Sequence, residues 1–309
     1  MKTFTQQSMQ EILSCLTKQL QDNTSISFVV LNPDTYDEYA GKEIEIENIV
    51  YIYRSYKAWV DLAELLMCKM HIPKPVSTHL IEITFQKLKT DSFHNDRKKN
   101  EKYGVNSHFW HIHKMEEPAF LYYYLQALQN VKVASKKQVL NLGINRADEF
   151  MAIKTLIDTK KYYNINFIGI DHSASAIEEA KQLFNEENIT FYTKDINDLD
   201  TLNLEKSDLL ISIGTLQSSS IDFKPFFMHL VQNHLTKDAS IILGFPNSRW
   251  IGGEVIYGAK APNYAMSEQS LLYSDVIFVK KYLQQKKYRV TITGKQYVFL
   301  TATKIGLKQ

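Results

Sequence analysis

Lys136-Lys-Gln-Val-Leu-Asn-Leu-Gly-Ile-Asn-Arg-Ala-Asp-Glu149 joins a short apolar run to a helical pattern through one glycine. Val139, Leu140 and Leu142 form a short apolar run with β character, and Gly143 stops it. From about Ala147 a helical pattern begins, with Phe150, Ile153, Leu156 and Ile157 on one face. The order is strand, tight turn, helix. Such a turn lets a ligand approach the backbone closely, and the N–H groups of the helix start are free to bind it. Ile168-Gly-Ile-Asp171 is a second apolar run that ends in an acid. Together these parts read as a nucleotide-type binding site at the carboxyl edge of a parallel sheet.

Working outward, strand and helix patterns alternate to the C-terminus. Strands are predicted at 138–142, 166–170, 190–192, 208–213 and 240–243, and helices at 147–159, 173–185, 225–235 and 275–285. Residues 289–293 and 297–303 flank Gly294-Lys-Gln and read as an antiparallel hairpin. The class is α/β, with helices on both faces of one sheet. No internal repeat is present.

Upstream lies a second module of α+β character. Residues 1–22 read as an amphipathic helix carrying Met9, Ile12, Leu13, Leu16 and Leu20, and 27–31 as a strand. The alternation from Glu43 to Tyr53 fits one bent strand or two. Tyr56 to Met70 reads as a helix with Trp59, Leu62, Leu66 and Met70 on one stripe, ended by Pro73 and Pro75. Leu80 to Leu88 reads as a strand. The hydrophilic stretch from Gln86 to Lys102, which includes Arg97-Lys-Lys, reads as a linker. This organisation gives an N-terminal accessory or substrate domain at 1–105 and a cofactor-binding domain at 106–309.

Composition narrows the function classes. The 309 residues are 44% hydrophobic and 23% charged, which suits a globular protein. Net charge is only +2, so no global pull toward nucleic acid is evident. Charge is uneven, because 280–309 holds eight Lys or Arg and no acid, a pattern that fits a solvated basic face or an anion-binding surface. The two cysteines, Cys15 and Cys68, have no metal or disulfide spacing. No signal-peptide core or membrane-length apolar run stands out, and a cytoplasmic location without membrane partners is expected.

Chemistry-bearing residues sit at the predicted strand ends. Asp171 offers a carboxylate that can accept from both hydroxyls of a ribose. Asp195 follows the third strand, where a carboxylate can take an exocyclic amine while Ile196 offers its N–H. Ser212-Ile-Gly-Thr-Leu-Gln-Ser-Ser-Ser follows the fourth strand, with small residues that leave room for a substrate. His108, His111 and His113 lie close together, but only the first two would share a helix face and no carboxylate or cysteine is suitably spaced, so no metal site is expected.

At these intervals Asn-Leu-Gly143-Ile-Asn145, Gly-Ile-Asp171, Lys-Asp195-Ile and Ser212-Ile-Gly-Thr-Leu resemble the class I S-adenosylmethionine-dependent methyltransferases. The resemblance covers roughly residues 106–309. It implies a Rossmann-like seven-stranded, mostly parallel sheet closed by the terminal hairpin, with S-adenosylmethionine as cofactor and S-adenosylhomocysteine as product. It also implies roles. Gly143 approaches the methionine part, Asp171 holds the ribose and Asp195 contacts adenine. His172 flanks adenine, and Leu216 sits at the mouth of the acceptor pocket. Ile196 and Ser212 complete the cofactor set, and His108, His111 and His113 are candidate bases in a segment that covers the cofactor.

The sequence departs from the family pattern at the first turn. Asn141 stands where an acid is usual and can still hydrogen-bond the cofactor's amino group, without charge. Only Gly143 remains of two or three glycines, and Asn145 substitutes because it tolerates left-handed backbone. The long connection from Gly244 to Tyr264 carries Arg249, Trp250, Tyr257 and Tyr264 and fits either a substrate wall or a locally packed surface loop. Arg249 suits a substrate carboxylate or phosphate.

Other classes fit less well. Gly-x-Gly-x-x-Gly is absent, against a dehydrogenase. Paired acids after the fourth strand are absent, against an aminopropyltransferase. The Asp/Asn-Pro-Pro-Tyr/Phe signature is absent, against a DNA-base amino-methyltransferase, so no DNA partner is expected. The reading is methyl transfer by in-line displacement to a small-molecule acceptor. The alternatives are an RNA methyltransferase, with Tyr51, Tyr53, Arg54, Tyr56 and Lys57 as a docking surface or merely a packing junction, and a non-catalytic Rossmann-like interaction protein.

Overall fold

A computed structural model describes residues 1–89, 104–258 and 269–306, with the side chain of His108 outside the description. The chain divides into two compact units, one comprising Met1–Asp91 with Ile251–Ile256 and the other Ser92–Trp250 with Tyr257–Gln309.

The first unit is a small, mostly antiparallel sheet with two helices, in which Lys2–Thr3 pairs parallel with the neighbouring strand Ser25–Leu31. Strand Ser25–Leu31 pairs along its whole length with Leu80–Lys87, in the register Ser25↔Gln86 to Leu31↔Leu80. Helix Met9–Asp22 starts at Ser8, whose side chain and that of Glu11 form a reciprocal capping box. Ile12, Leu16 and Leu20 recur every four residues and bury one stripe, whereas Leu13 points outward. They meet Trp59 and Leu62 of helix Tyr56–Leu65 over Phe28 and Phe85, whose rings pack edge-on at 5.1 Å.

The expected long helix from Tyr56 to Met70 is shorter. Met67 adopts a left-handed φ of 55°, and Cys68–Met70 becomes a strand beside Leu80–Lys87. Leu66 and Met70 still pack on the core, so the apolar residues are buried by a different backbone. The alternating stretch resolves into two strands, Glu43–Ile46 and Ile49–Ile52, joined through left-handed Glu47 and Asn48. Tyr51, Tyr53 and Arg54 are buried there, and Arg54 donates to the carbonyl of Gln7 at 2.6 Å.

The second unit carries the seven-stranded sheet. Its strands are β1 (Gln138–Leu142), β2 (Asn166–Asp171), β3 (Ile189–Thr193), β4 (Ser207–Ile213), β5 (Leu235–Pro246), β6 (Tyr288–Gly294) and β7 (Tyr297–Lys304). The spatial order is β3-β2-β1-β4-β5-β7-β6. The first five are parallel, and β7 and β6 are antiparallel to their neighbours. The helices are α1 (Pro118–Asn130), α2 (Asp148–Leu156), α3 (Thr159–Tyr163), α4 (Ala174–Leu183), α5 (Phe223–His229) and α6 (Ser270–Gln285).

Alternate strand residues feed two cores. Val139 joins Phe120, Tyr124, Phe150 and Ile177 from α1, α2 and α4. Leu140 joins Phe227 and Val279 from α5 and α6. Both faces are therefore covered, which is why the parallel strands are apolar without alternation. Two helices differ from expectation. The predicted helix 147–159 breaks at Ile157, and Asp158 caps the separate α3. The predicted helix 225–235 becomes α5 followed by a π turn over Leu230–His234, and β5 begins directly afterwards.

Candidate functional site

Strand order reverses between β1 and β4, so their carboxyl ends diverge and leave a crevice. A cavity of about 1010 Å³ opens there. Gly143, Ile144, Asn145 and Arg146 form one side of it. Gly143, Asn145 and Ala147 all have positive φ, at 75°, 47° and 63°. All three positions of the glycine-type turn are thus left-handed although only one is glycine. Gly143 is required there. A Cβ on it would run into the Thr215 hydroxyl oxygen, so its close neighbour is the loop after β4.

Asp171 ties the first two turns together. One carboxylate oxygen accepts from the Asn145 N–H at 3.0 Å and the other from the Ser173 N–H at 2.9 Å. Nδ1 of His172 lies 3.4 Å from the second of these oxygens. A carboxylate offers about four acceptor sites, so capacity remains for a ligand. Asp195 and Ile196 line the cavity below β3, and Asp195 also caps the turn that follows by accepting from the Asn197 N–H at 2.9 Å. His172 lines it as well.

A second wall comes from distant segments. Phe109, Ile112, Lys114 and Met115 precede α1, Glu149 starts α2, and Tyr297 begins β7. Glu149 is only 8% exposed, and burial pushes its carboxyl up to about 7 although the Lys114 ammonium pulls it down. Burial opposes the charge on Lys114, but Tyr297, Glu149 and Asp148 outweigh it and hold its pKa above the ordinary lysine value. The ammonium lies 5.6 Å from the Tyr297 ring centre. Arg146 fastens the segment before α1 to the turn. Its guanidinium sits 4.9 Å from the Trp110 ring and donates to the Trp110 carbonyl at 3.2 Å.

The family model for a methyltransferase domain matches residues 135–292, which contain every turn of the first wall. The chain belongs to that methyltransferase family. The activity that goes with this family is methyl transfer, with S-adenosylmethionine as the cofactor. Solved structures with a similar fold include the CurJ carbon methyltransferase, at 15% identity and TM-score 0.42, covering 59% of this chain and 52% of that one. The plantazolicin methyltransferase BpumL in complex with a monoazolic desmethylPZN analog and SAH matches at 10% identity and TM-score 0.44, over 62% of this chain and 87% of that one. A SAM-dependent methyltransferase from Aquifex aeolicus matches at 13% identity and TM-score 0.41, over 62% of this chain and 94% of that one. The chain thus spans about half the length of the CurJ protein. No curated protein matches it.

Residues present in the cavity fit the methyltransferase cofactor. Asp171 has acceptor capacity to spare, and the Gln217 side-chain oxygen in the wall is buried without a hydrogen-bond partner among the described residues. Unpaired buried oxygens of this kind are uncommon and mark a place where a donor is wanted.

Several expected site residues lie elsewhere. Asn141 is 1% exposed within β1, does not line the cavity, and leaves its side-chain N–H₂ unpaired. Ser212 donates its hydroxyl to the Leu142 carbonyl at 3.1 Å and serves to join β4 to β1. Leu216 is buried in the core with Phe223 and Phe245, while its neighbours Thr215 and Gln217 face the cavity. His111 is exposed and His113 accepts from Arg146 at 3.0 Å, so neither described histidine of that group faces the cavity.

Arg249 and Trp250 do line the cavity, on a hairpin strand (Ser248–Ile251) that replaces the expected irregular connection. Tyr257 is on the opposite strand of that hairpin, half exposed, and accepts from Gln269 at 2.6 Å. Tyr264 and the Arg97-Lys-Lys stretch lie outside the described residues. Lys114, Glu149, Thr215, Gln217 and Tyr297 were missed. Glu149 had a weak signal as an acid in a helix's first turn, but acids are common there for the dipole alone. Among the described residues no helix is long and apolar enough to cross a membrane.

Proposed function

We propose that the cavity binds S-adenosylmethionine and that the protein methylates a small organic acceptor carrying an anionic group. The observation that carries this reading is the Asp171 carboxylate, held by two backbone N–H groups at the edge of the crevice beside the Gly143 turn. Its remaining acceptor sites suit two ribose hydroxyls. Asp195 and Ile196, which line the same cavity, suit the adenine edge, and His172 suits a place beside it.

The far end of the cofactor is a zwitterion. Lys114 and Glu149 are an opposite-charge pair in the same cavity, so Lys114 suits its carboxylate and Glu149 its ammonium. When bound, the cofactor supplies an activated sulfonium methyl, and the electron pair of the broken S–C bond stays on sulfur as S-adenosylhomocysteine. The protein's part is alignment and exclusion of water. Phe109, Ile112, Met115 and Trp250 provide apolar cover, and Arg249 beside Trp250 suits a planar anionic acceptor. Of the five side chains that would have formed an RNA-docking surface, Tyr51, Tyr53 and Arg54 are buried and only Tyr56 and Lys57 are exposed, which supports a small acceptor over RNA.

Calorimetric titration with S-adenosylhomocysteine tests the reading. Micromolar binding is expected, with Asp171→Ala weakening it roughly a hundredfold through loss of a charged double acceptor. Unchanged affinity in a variant that keeps its circular dichroism would overturn the ribose assignment. Absence of binding by the native protein would overturn the cofactor assignment.

A further inference from the structure

A second cluster of functional groups lies outside the cavity lining, around the turn that follows β3. That turn, Ile196–Leu202, starts at the cavity with Ile196 and carries Asp200 farther along. One oxygen of Asp200 is 2.8 Å from Nε2 of His229 and 2.7 Å from Nε2 of His234. The three ligand-type atoms all lie within 4.8 Å of one another.

The backbone has to depart from an α-helix to achieve this. Residues five apart in an α-helix point about 140° away from each other. His229 ends α5, and the π turn Leu230–His234 follows. A π turn closes i to i+5, which brings His234 round to the face of His229. The two imidazole rings sit 5.5 Å apart. Such single π turns recur at functional sites because they re-aim side chains at a cost in helix regularity.

We propose that Asp200, His229 and His234 form a binding site for one divalent transition-metal ion of the zinc type. Two imidazole nitrogens and a carboxylate oxygen are a borderline donor set that suits zinc, with water completing a tetrahedron. The size is right. Tetrahedral bonds of about 2.0–2.2 Å place ligand atoms roughly 3.4 Å apart, so each Nε2–oxygen separation must open by about 0.6 Å. Asp200 can supply that movement, because its side chain is 65% exposed.

Access and support are both present. His229 is 41% exposed on the open side, whereas His234 is 8% exposed and fixed. Nδ1 of His229 is 2.8 Å from the side-chain amide nitrogen of Asn233, an outer contact that holds the ring. Without an ion, both Nε2 atoms donate to the single Asp200 oxygen. Metal binding moves each imidazole proton from Nε2 to Nδ1, so neutral histidines bind without net proton release, and at His229 the Asn233 amide turns its oxygen to accept that proton. Nothing in this cluster depends on the methyl-transfer reading.

The test uses the full chain, stripped with a chelator and free of any histidine tag, titrated with zinc chloride by calorimetry and with cobalt(II) by visible absorption. One ion per chain at about micromolar affinity or tighter is expected, with the intense visible bands of four-coordinate cobalt. Asp200→Asn and His229→Asn, each checked by circular dichroism, should weaken zinc more than about tenfold. His229 is exposed enough that its variant should fold even if changes at His234 do not. Absence of uptake would overturn the proposal. Uptake that survives both variants, including uptake lost only on changing His108, His111 and His113, would overturn it equally.

Discussion

The two walls of the cavity are built in opposite ways. The first is backbone: Gly143 to Arg146 and the carbonyl of Ile170, which accepts from the N–H groups of Gly143 and Ile144 at 2.8 and 3.1 Å, with Asp171 closing the ring. The second is side chain: Lys114, Glu149, Arg249 and Tyr297, each from a different element. The first wall joins two short strand-to-turn segments, each contiguous in the chain, that hydrogen-bond to one another through Ile170 and Asp171. The second exists only after the sheet has ordered itself. Contiguous segments leave a pattern in sequence, and a wall assembled from scattered side chains does not.

The sharpest way to break the first wall is Gly143→Ala. The new methyl would have to occupy the space of the Thr215 side chain at a left-handed φ of 75°. Left-handed strain and overpacking together should cost roughly 2–5 kcal/mol, read as a lower denaturation midpoint. Thr215→Gly in the same chain should recover part of the loss. No recovery would mean that the backbone conformation alone, not the close contact, demands glycine.

Glu149→Gln probes the second wall with the opposite sign. Burial lifts this carboxyl from 4.5 to about 7. A raised carboxyl pKa favours folding with the proton on, so that contribution is complete below about pH 4.5 and is lost as pH rises through 7. The glutamine variant should therefore match the native protein in acid and exceed it by roughly 3 kcal/mol well above pH 7. It should also bind S-adenosylhomocysteine more weakly, because the ammonium loses its partner. A variant no more stable at pH 8 would place the Glu149 charge in a better-solvated setting than its burial implies. Arg249→Ala comes next: about a tenfold rise in acceptor KM with cofactor affinity unchanged. Equal effects on both would remove Arg249 from the acceptor side.

What the sequence revealed follows the same division. The succession of strands, the terminal hairpin and the acid that ends β2 were readable, because apolar runs and a strand-end acid are local signals. Ser212 and Leu216 are absent from the cavity lining while Thr215 and Gln217 are in it; the small-residue run after β4 does not say which residue faces the crevice. The helix through Met70 was misread because Leu66, Met67, Cys68 and Met70 suit a buried helix or a buried strand equally, and nothing in methionine announces the left-handed turn at Met67. The π turn is another such case. Its apolar spacing passes for α-helix, so the pairing of His229 with His234 becomes visible only in three dimensions.

The smallest expected effect gives the cleanest contrast. Ala147 shares the left-handed backbone of Gly143, at φ 63°, and its methyl is fully buried. Ala147→Gly relieves roughly 1–2 kcal/mol of left-handed strain. It gives back about 0.4–1 kcal/mol through a freer unfolded chain and about 0.8 kcal/mol of methyl burial. The three nearly cancel, so stability should stay within about 1 kcal/mol of the native protein in urea denaturation. A loss above about 2 kcal/mol would mean that the methyl packs the core more tightly than strain opposes it. Near-neutrality would show that one backbone conformation sets different demands according to its neighbour. At Gly143 that neighbour is Thr215, which leaves no room for a methyl, whereas at position 147 the fold already accommodates one.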